Sequence, residues 1–192
     1  YLVDTNEKSE IVPRLAQSWN VSEDGLTYTL TIAEGVKFHD GSDLTLDDIV
    51  WTFDRLRSDG PTADLFGAVE SVAAGEGNTV VFTLTGTNPD FMYNLSDNRV
   101  VILKSGAENI GTEFNGTGPF KVQEFVTDRA SMEAHEEYFM GAPGVEALEF
   151  IYFDNNEAAV NALRGGIADA VLRIDNATFL SLAAEAGYDA QD

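Results

Sequence analysis

The sequence contains no cysteine and only two histidines, His39 and His135. The absence of cysteine excludes disulfide bonds and thiolate metal sites, but it does not identify a cellular compartment. A usual transition-metal site takes two or three imidazole or thiolate ligands, so two histidines give no specific support for one. We predict that His39 lies in a turn and bonds to backbone, and that His135 has a structural place in a strand.

Long apolar runs are also missing. No run approaches the roughly 18 residues that a membrane-spanning helix requires, so nothing in the sequence is expected to cross a membrane. No signal peptide is visible at Tyr1. Residues 1–3 have the pattern of a strand interior, and we therefore expect the chain to begin inside a longer protein.

Positive charge is scarce, because 11 Lys and Arg stand against 33 Asp and Glu, for a net charge of −22. Such a surface repels nucleic acid and anionic membranes, and neither is an expected partner. The acidic residues are scattered among predicted turns and helix faces, which is typical of a solvated surface. A saline habitat and a basic partner are both compatible with this composition.

The most informative stretch covers residues 24–56. Apolar side chains alternate with threonines over 26–32, which predicts a strand with one buried face. A turn at 39–41 follows, and Thr45 is the predicted N-cap of a helix with Asp48 at the capping-box spacing. The apolar face of this helix consists of Ile49, Phe53 and Leu56.

Turn signals divide the rest of the chain into short elements. Hairpins are predicted at 68–85 and 120–136. A Gly/Pro connector at 138–144 is a candidate boundary, and beyond it the predicted order is β-α-β, which implies a parallel pair of strands. Those three elements are 147–153, 156–164 and 168–172. The other predicted elements are a strand at 99–103 and a helix at 175–185.

Motifs for several other chemistries are incomplete. The aspartates at 40–48 lack the glycine and glutamate spacing of an EF-hand, and turn and cap roles explain them. The glycine-rich loop at 111–118 has Thr117 where a P-loop needs lysine, and Glu113 there would repel phosphate. No serine has a Gly-x-Ser-x-Gly context, and two histidines leave a catalytic triad neither favoured nor excluded.

Five motifs together identify a resemblance. They are LAQSW at 15–19, GVKFHDG at 35–41, DRL at 54–56, GTGPF at 116–120 and AVNALRGGIADA at 159–170. These motifs are similar to those of family 5 of the extracytoplasmic solute-binding proteins, which take up peptides, nickel complexes or sugars through ABC importers. The resemblance extends from about Ile11 to Leu172. Ala33 and Gly166 depart from the family pattern, where a basic and a polar residue are usual.

The resemblance implies an α/β fold (mixed α+β), a periplasmic-binding-protein type II-like lobe with a mixed sheet and an antiparallel hairpin subdomain. The hairpin-rich subdomain is expected at 14–139, and a β-α-β subdomain at 1–13 together with 140–192. The family's second lobe is expected to be absent from this chain.

The resemblance also implies a binding protein rather than an enzyme, with no cofactor and no metal. A small solute (peptide, oligosaccharide or metal chelate) would be captured between two lobes and delivered to a membrane ABC permease. The protein would be a periplasmic monomer, or extracellular and lipid-anchored in a Gram-positive organism. The loop at 58–67 is expected to contribute Asp64 and Phe66 to the ligand site. Loops after parallel strands point to Asn155 and Arg173.

Two other function classes remain open from the residues alone. A polysaccharide hydrolase would have two carboxylates about 5–10 Å apart in a cleft. An interaction domain without a small ligand would show a broad exposed apolar patch, and a face left by a missing lobe would imitate that patch.

Overall fold

The computed structural model describes residues 1–58, 62–185 and 187–189. Asp59, Gly60 and Pro61, which belong to the loop predicted to bind ligand, lie outside the described residues. The strands are β1 (Val3–Thr5), β2 (Ile11–Pro13), β3 (Ala16–Val21), β4 (Thr27–Ile32), β5 (Val69–Ala74), β6 (Thr79–Leu84), β7 (Phe120–Val126), β8 (Arg129–Ala134) and β9 (Ala147–Ile151). The helices are α1 (Leu46–Ser58), a 3-10 helix (Ala63–Phe66), α2 (Phe91–Asn94), α3 (Asn156–Arg164) and α4 (Asn176–Ala183).

The main sheet has the order β3-β4-β6-β5, and all its neighbours are antiparallel. The predicted alternation in β4 is confirmed, because Tyr28, Leu30 and Ile32 are buried. In the β4–β6 register Tyr28 lies opposite Phe82 and Leu30 opposite Val80, which places the apolar side chains of both strands on one face. That face forms the floor of the core.

Helix α1 covers this face of the sheet by packing against β5 and β6. Ile49, Phe53 and Leu56 are buried, as their helical spacing predicted. Phe53 stands edge-on to Phe82, with ring centroids 4.8 Å apart, and edge-on to Phe66 at 5.3 Å. Aromatic pairs in this geometry add to the stabilisation from buried area, so Phe53 lies at the centre of the core.

The start of α1 has the predicted capping box. Asp48 Oδ2 accepts hydrogen bonds from the Thr45 backbone N–H and hydroxyl, each at 2.7 Å. In return, the Asp48 N–H donates to Thr45 Oγ1 at 3.3 Å. The other Asp48 oxygen accepts from the Ser105 N–H at 2.7 Å, a contact the sequence does not indicate. The capping residue therefore also anchors a distant segment.

The predicted strand at 99–103 is wrong. This segment has no ladder partner, and Leu103 is held instead by the buried side chain of Thr52 on α1. The Thr52 hydroxyl donates to Leu103 O at 3.1 Å and accepts from Leu103 N–H at 3.0 Å. Because one hydroxyl satisfies both backbone groups of Leu103, this residue is buried without joining the sheet.

A second sheet has the order β7-β8-β9. Hydrogen bonds from Ala134 N to Glu146 O and from Tyr152 N to Asp128 O show that β9 runs antiparallel to β8. The expected parallel pair is absent from the described residues, because residues 168–172 form no strand there. Ile167, just before the predicted strand, and Leu172, at its end, are each 71% exposed. A strand needs a neighbouring strand to pair with its backbone N–H and C=O groups, and this segment has none among the described residues.

The chain divides into two compact units. Unit 1 comprises Tyr1–Lys121 and Glu133–Ala147 and contains the main sheet, α1 and the large apolar core. Unit 2 comprises Val122–Met132 and Leu148–Asp192 and has a small core that includes Ala130, Val160, Ala162 and Leu182. None of the described helices is both long and apolar enough to span a membrane.

The surface charge is only partly neutralised by ion pairs. The described residues form seven, such as Arg14–Asp4 at 3.1 Å and Lys37–Asp43 at 2.7 Å. With 33 acidic residues in the chain, most carboxylates stand outside these pairs. Self-repulsion of this excess destabilises the compact state.

We therefore expect the thermal midpoint to rise when NaCl is raised from about 0.1 M to about 1 M, which shortens the screening length from roughly 10 Å to roughly 3 Å. Circular dichroism melting measures the shift. As a control, the exposed acids Glu23, Glu34, Asp47 and Glu76 are changed to their amides. The thermal midpoint of this variant should rise less with salt than that of the unaltered protein. An equal rise in both proteins would contradict self-repulsion of the acidic residues as the cause.

Candidate functional site

The described part of the loop after α1 is bonded to helix α2 near its C-terminal end. Asn94 Nδ2 donates to Leu65 O at 3.0 Å, and Thr62 is buried at the start of the 3-10 helix. Asp64 points its carboxylate to a solvent-exposed position. Phe66, by contrast, is only 1% exposed and packs on Phe53.

The placement of Phe66 corrects one site prediction. A stacking role requires an open ring face, and the core of unit 1 occupies this ring. The predicted ligand contact of Phe66 assumed an open aromatic face for stacking, whereas the 3-10 helix turns this ring inward. Asp64 keeps its exposed place, and its ligand role stays a prediction.

Asn155 is the N-cap of α3. Its Oδ1 accepts the Ala158 N–H at 2.9 Å, and its backbone is extended, as an N-cap requires. The side chain is exposed, so its amide nitrogen is left for another partner. Asn155 does not follow a parallel strand as expected, because β9 is antiparallel to β8.

Arg173 lies in an exposed loop between α3 and α4 with a backbone φ of 59°. A non-glycine residue in this left-handed region is uncommon. The predicted strand before it is absent, so the loop places the arginine rather than a sheet edge. Among the described residues Arg173 forms no ion pair, although acidic residues greatly outnumber basic ones.

A groove of about 580 Å³ lies between α3 and α4 in unit 2. Asn155, Asn156 and Asp175 line one end of it, and Arg164 lines it as well. Asn156 Nδ2 donates to Asp175 Oδ2 at 2.6 Å, which joins the first turns of the two helices. Arg164 forms an ion pair with Glu185, so this cation already has an acidic partner. The sequence did not indicate the groove.

Asp175 is held in its ionised form. It accepts the Thr178 N–H at 2.9 Å and the Thr178 hydroxyl at 2.7 Å, besides the bond from Asn156. These bonds lower its pKa to about 2, the Thr178 backbone bond being the largest cause. A carboxyl group with a lowered pKa does not have the raised pKa that a hydrolase proton donor needs. The groove is lined by polar side chains that can bind a ligand, and Glu157 is a second carboxylate among them.

The turn at 39–41 has a structural role in unit 1, as predicted. Asp40 Oδ1 accepts from Ser42 N–H at 2.9 Å, and Gly41 has a φ of 83°, which glycine adopts easily. Lys104 Nζ donates to Asp40 Oδ2 at 2.8 Å, and this bond is the main reason that the Asp40 pKa lies well below its usual range. Asn115 Nδ2 donates to the same oxygen at 3.0 Å.

The two histidines meet, which the sequence did not indicate. Their ring centroids are 5.2 Å apart, and both rings bond to Gly118 O. The turn role of His39 is confirmed, and His135 lies directly after β8 rather than within it. The described part of the chain contains no group of three or more His, Cys, Asp or Glu residues that could hold a metal ion.

The profile of the bacterial extracellular solute-binding proteins, family 5 Middle, matches residues 10–192. The oligopeptide-binding protein AppA of Bacillus subtilis is 32% identical over 184 residues, which cover 86% of this chain and 33% of that protein. Its structure in complex with a nonapeptide superposes with a TM-score of 0.74 at 30% identity, covering 87% of this chain and 36% of that one.

Two further relatives have different ligands in their names. The dipeptide-binding protein of Escherichia coli is 31% identical over 173 residues, covering 74% of this chain and 32% of that protein. The nickel ABC transporter structure from Bacillus halodurans has a TM-score of 0.83 at 26% identity, with 97% of this chain and 39% of that chain covered.

These matches also confirm the predicted fold class, a mixed α/β lobe of the type II periplasmic binding proteins. The chain spans about a third of the length of the curated relatives it matches. It belongs to the bacterial extracellular solute-binding proteins of family 5.

Proposed function

We propose that this chain is part of an extracytoplasmic solute-binding protein that captures a small solute between two lobes and delivers it to a membrane ABC permease. The observation that carries the proposal is the family match over residues 10–192. Binding proteins of this kind close around the ligand by hinge bending, and the ligand selects the closed form. The protein works in the periplasm, or outside the cell on a lipid anchor, as a monomer.

The solute we favour is a peptide, since two of the relatives are named for peptide binding. An oligosaccharide or a metal chelate is the competing ligand class, and a nickel transporter structure is among the similar folds. Asp64 in unit 1, and Asn155 and Arg173 in unit 2, supply polar contacts in this proposal. Arg173 is the partner for a peptide carboxylate because no described residue neutralises it.

We propose further that the lobe has a hairpin-rich subdomain at 14–139 and a second subdomain from 1–13 and 140–192. The observed division into two compact units supports a lobe with two parts, but its bounds differ from these, because residues 1–13 lie in unit 1 and residues 122–132 in unit 2. Unit 2 has several exposed apolar side chains. We propose that a further part of the whole protein covers them. These side chains include Phe150, Tyr152, Ile167, Leu172 and Leu180.

The binding prediction compares this chain with the longer protein encoded by its full reading frame. Titration calorimetry uses a peptide, an oligosaccharide and a nickel–histidine complex. We expect the longer protein to bind one of these classes, and this chain alone to give no heat at concentrations that saturate the longer one. The reason is that a lone lobe has no closed state for the ligand to select. Equally tight binding by the chain alone would refute the two-lobe capture.

The role of Arg173 is tested in the longer protein with Arg173→Ala. We expect affinity for a peptide with a free carboxyl terminus to fall about tenfold or more, because the variant loses one charge-assisted hydrogen bond to the carboxylate. A matched control is Arg129→Ala, since Arg129 already pairs with Glu149 at 3.1 Å. Equal affinities for Arg173→Ala and the unaltered protein would remove Arg173 from the site and leave the transport role intact.

A further inference from the structure

Hydrogen bonds from His39 and His135 hold the loop at 114–119 in place. We call the two histidines and this loop together the histidine clasp. His39 lies between β4 and α1, and its Nε2 is 3.0 Å from Gly118 O. His135 follows β8, and its Nδ1 is 3.1 Å from the same oxygen. A carbonyl oxygen only accepts, so both of these ring nitrogens carry hydrogen.

Backbone hydrogen bonds of both histidines also attach the loop. The His39 N–H donates to Gly116 O, and the His135 N–H donates to Pro119 O, each at 2.8 Å. On the His39 side, the Asp40 N–H also donates to Asn115 Oδ1 at 3.1 Å. The loop is thus attached to two segments about a hundred residues apart in sequence, and its conformation depends on both rings staying in place.

The two rings differ in the partners available to the nitrogen that does not face Gly118 O. Nδ1 of His39 lies 3.3 Å from both the Gly116 N–H and Phe114 O, so a donor and an acceptor are available to it. A protonated His39 therefore keeps a partner for each nitrogen. Nε2 of His135 is buried without a hydrogen-bond partner among the described residues, and the whole residue is 1% exposed. A proton on that nitrogen would place a buried charge with no acceptor.

The described charged groups around His135 do not supply an acceptor for a proton on Nε2. Lys121 at the start of β7 and the His39 ring oppose a positive charge on His135, and Glu137 favours it. Glu137 also acts on Lys37, which forms its ion pair with Asp43. Burial is the largest influence and lowers the pKa of His135, while the bond to Gly118 raises it and only partly offsets that effect.

We propose that the histidine clasp is an acid-sensitive switch in which a proton taken up at Nε2 of His135 releases the loop at 114–119 from the ring. At neutral pH His135 is uncharged and the loop is closed. Because the open form binds a proton that the closed form excludes, stability of the closed clasp is fully present above the ordinary histidine pKa of about 6.5. It is lost as the pH falls below that value towards the lowered pKa of the closed form.

Hydrogen exchange of this chain measures the release directly. The reporters are the amides of His39, Gly116 and His135, and the amide of Leu30 in β4 is the reference. With one proton taken up on opening, we expect protection of the reporters to fall by up to about tenfold per pH unit below pH 6.5. Work between pH 7.5 and 5.5 stays above the range in which carboxylates titrate. Reporter protection that follows Leu30 throughout would overturn the proposal.

Two variants and one spectrum distinguish the roles of the rings. His135→Asn keeps a donor near Gly118 O but does not titrate, so its reporters should show no such fall. His39→Gln keeps the other donor and should still show it. With only two histidines in the chain, their ring proton signals can be followed separately in the unaltered protein. The proposal fails if His135→Asn loses protection as steeply as the unaltered protein, or if the His135 signal titrates at the ordinary pKa while protection is unchanged.

Discussion

Replacing Phe53 with alanine is expected to lower the free energy of unfolding of unit 1 by about 3–5 kcal/mol, the usual loss for a buried phenylalanine. Phe53 is 1% exposed and lies between the rings of Phe66 and Phe82. Its removal leaves a cavity where α1 meets the sheet and ends both edge-to-face contacts. The apolar residues around it belong to strands and a helix and can collapse only partly.

Urea unfolding followed by tryptophan fluorescence measures this loss. Both tryptophans, Trp19 and Trp51, lie in unit 1, so the signal reports that unit. Phe53→Leu is the conservative variant and should lose much less, because it keeps most of the volume. Phe150→Ala, at a 40% exposed position on β9, should leave the tryptophan transition nearly unchanged. A loss below about 1 kcal/mol for Phe53→Ala would contradict its central place in the core.

Asp48→Ala is expected to be the second most damaging change, with a loss of about 2–4 kcal/mol from one lost helix cap and from the loss of charge-assisted hydrogen bonds that are partly buried. Asp48 is only 5% exposed and accepts from Thr45 N–H, the Thr45 hydroxyl and Ser105 N–H. Without the carboxylate, the first turn of α1 and the segment at 105 are both released.

The neighbouring Asp47 provides the matched control. It is also in the first turn of α1 but is exposed, so Asp47→Ala should cost less than about 1 kcal/mol through the helix dipole alone. The same urea measurement compares the two variants. If both variants lost the same stability, the contacts of Asp48 with Thr45 and Ser105 would contribute nothing beyond the helix dipole. Asp48→Asn, which keeps one acceptor oxygen, should fall between the two.

Local elements were predicted well where the pattern is self-contained. The strand at 26–32, the hairpin of β5 and β6, the helix at 156–164 and the capping box of Thr45 and Asp48 follow from alternation, turn residues and N-cap chemistry over a few positions. The segments at 99–103 and 168–172 were predicted as strands and are not. An apolar run can be buried in more than one way, and only the surroundings show whether a ladder partner exists.

The candidate site was predicted less well because its residues act through distant neighbours. Phe66 and Asp64 are two positions apart, yet the short helix buries one and exposes the other. Arg173 was correctly placed in a loop, but its left-handed backbone and the lack of a strand at 168–172 were not visible in the sequence. The family was recognisable from five motifs, and the family match confirms it.

The sequence by itself determined the family, the apolar faces of β4 and α1, and an excess of negative charge that no fold can remove. These properties depend on residue types and short spacings, which the chain carries wherever it folds. Only the tertiary structure decided that Asp48 reaches Ser105, that Thr52 binds Leu103, and that His39 and His135 share Gly118 O. Each of those contacts joins positions 17 to 79 residues apart. No local rule specifies such a pair, because the packing of the whole core brings its two members together.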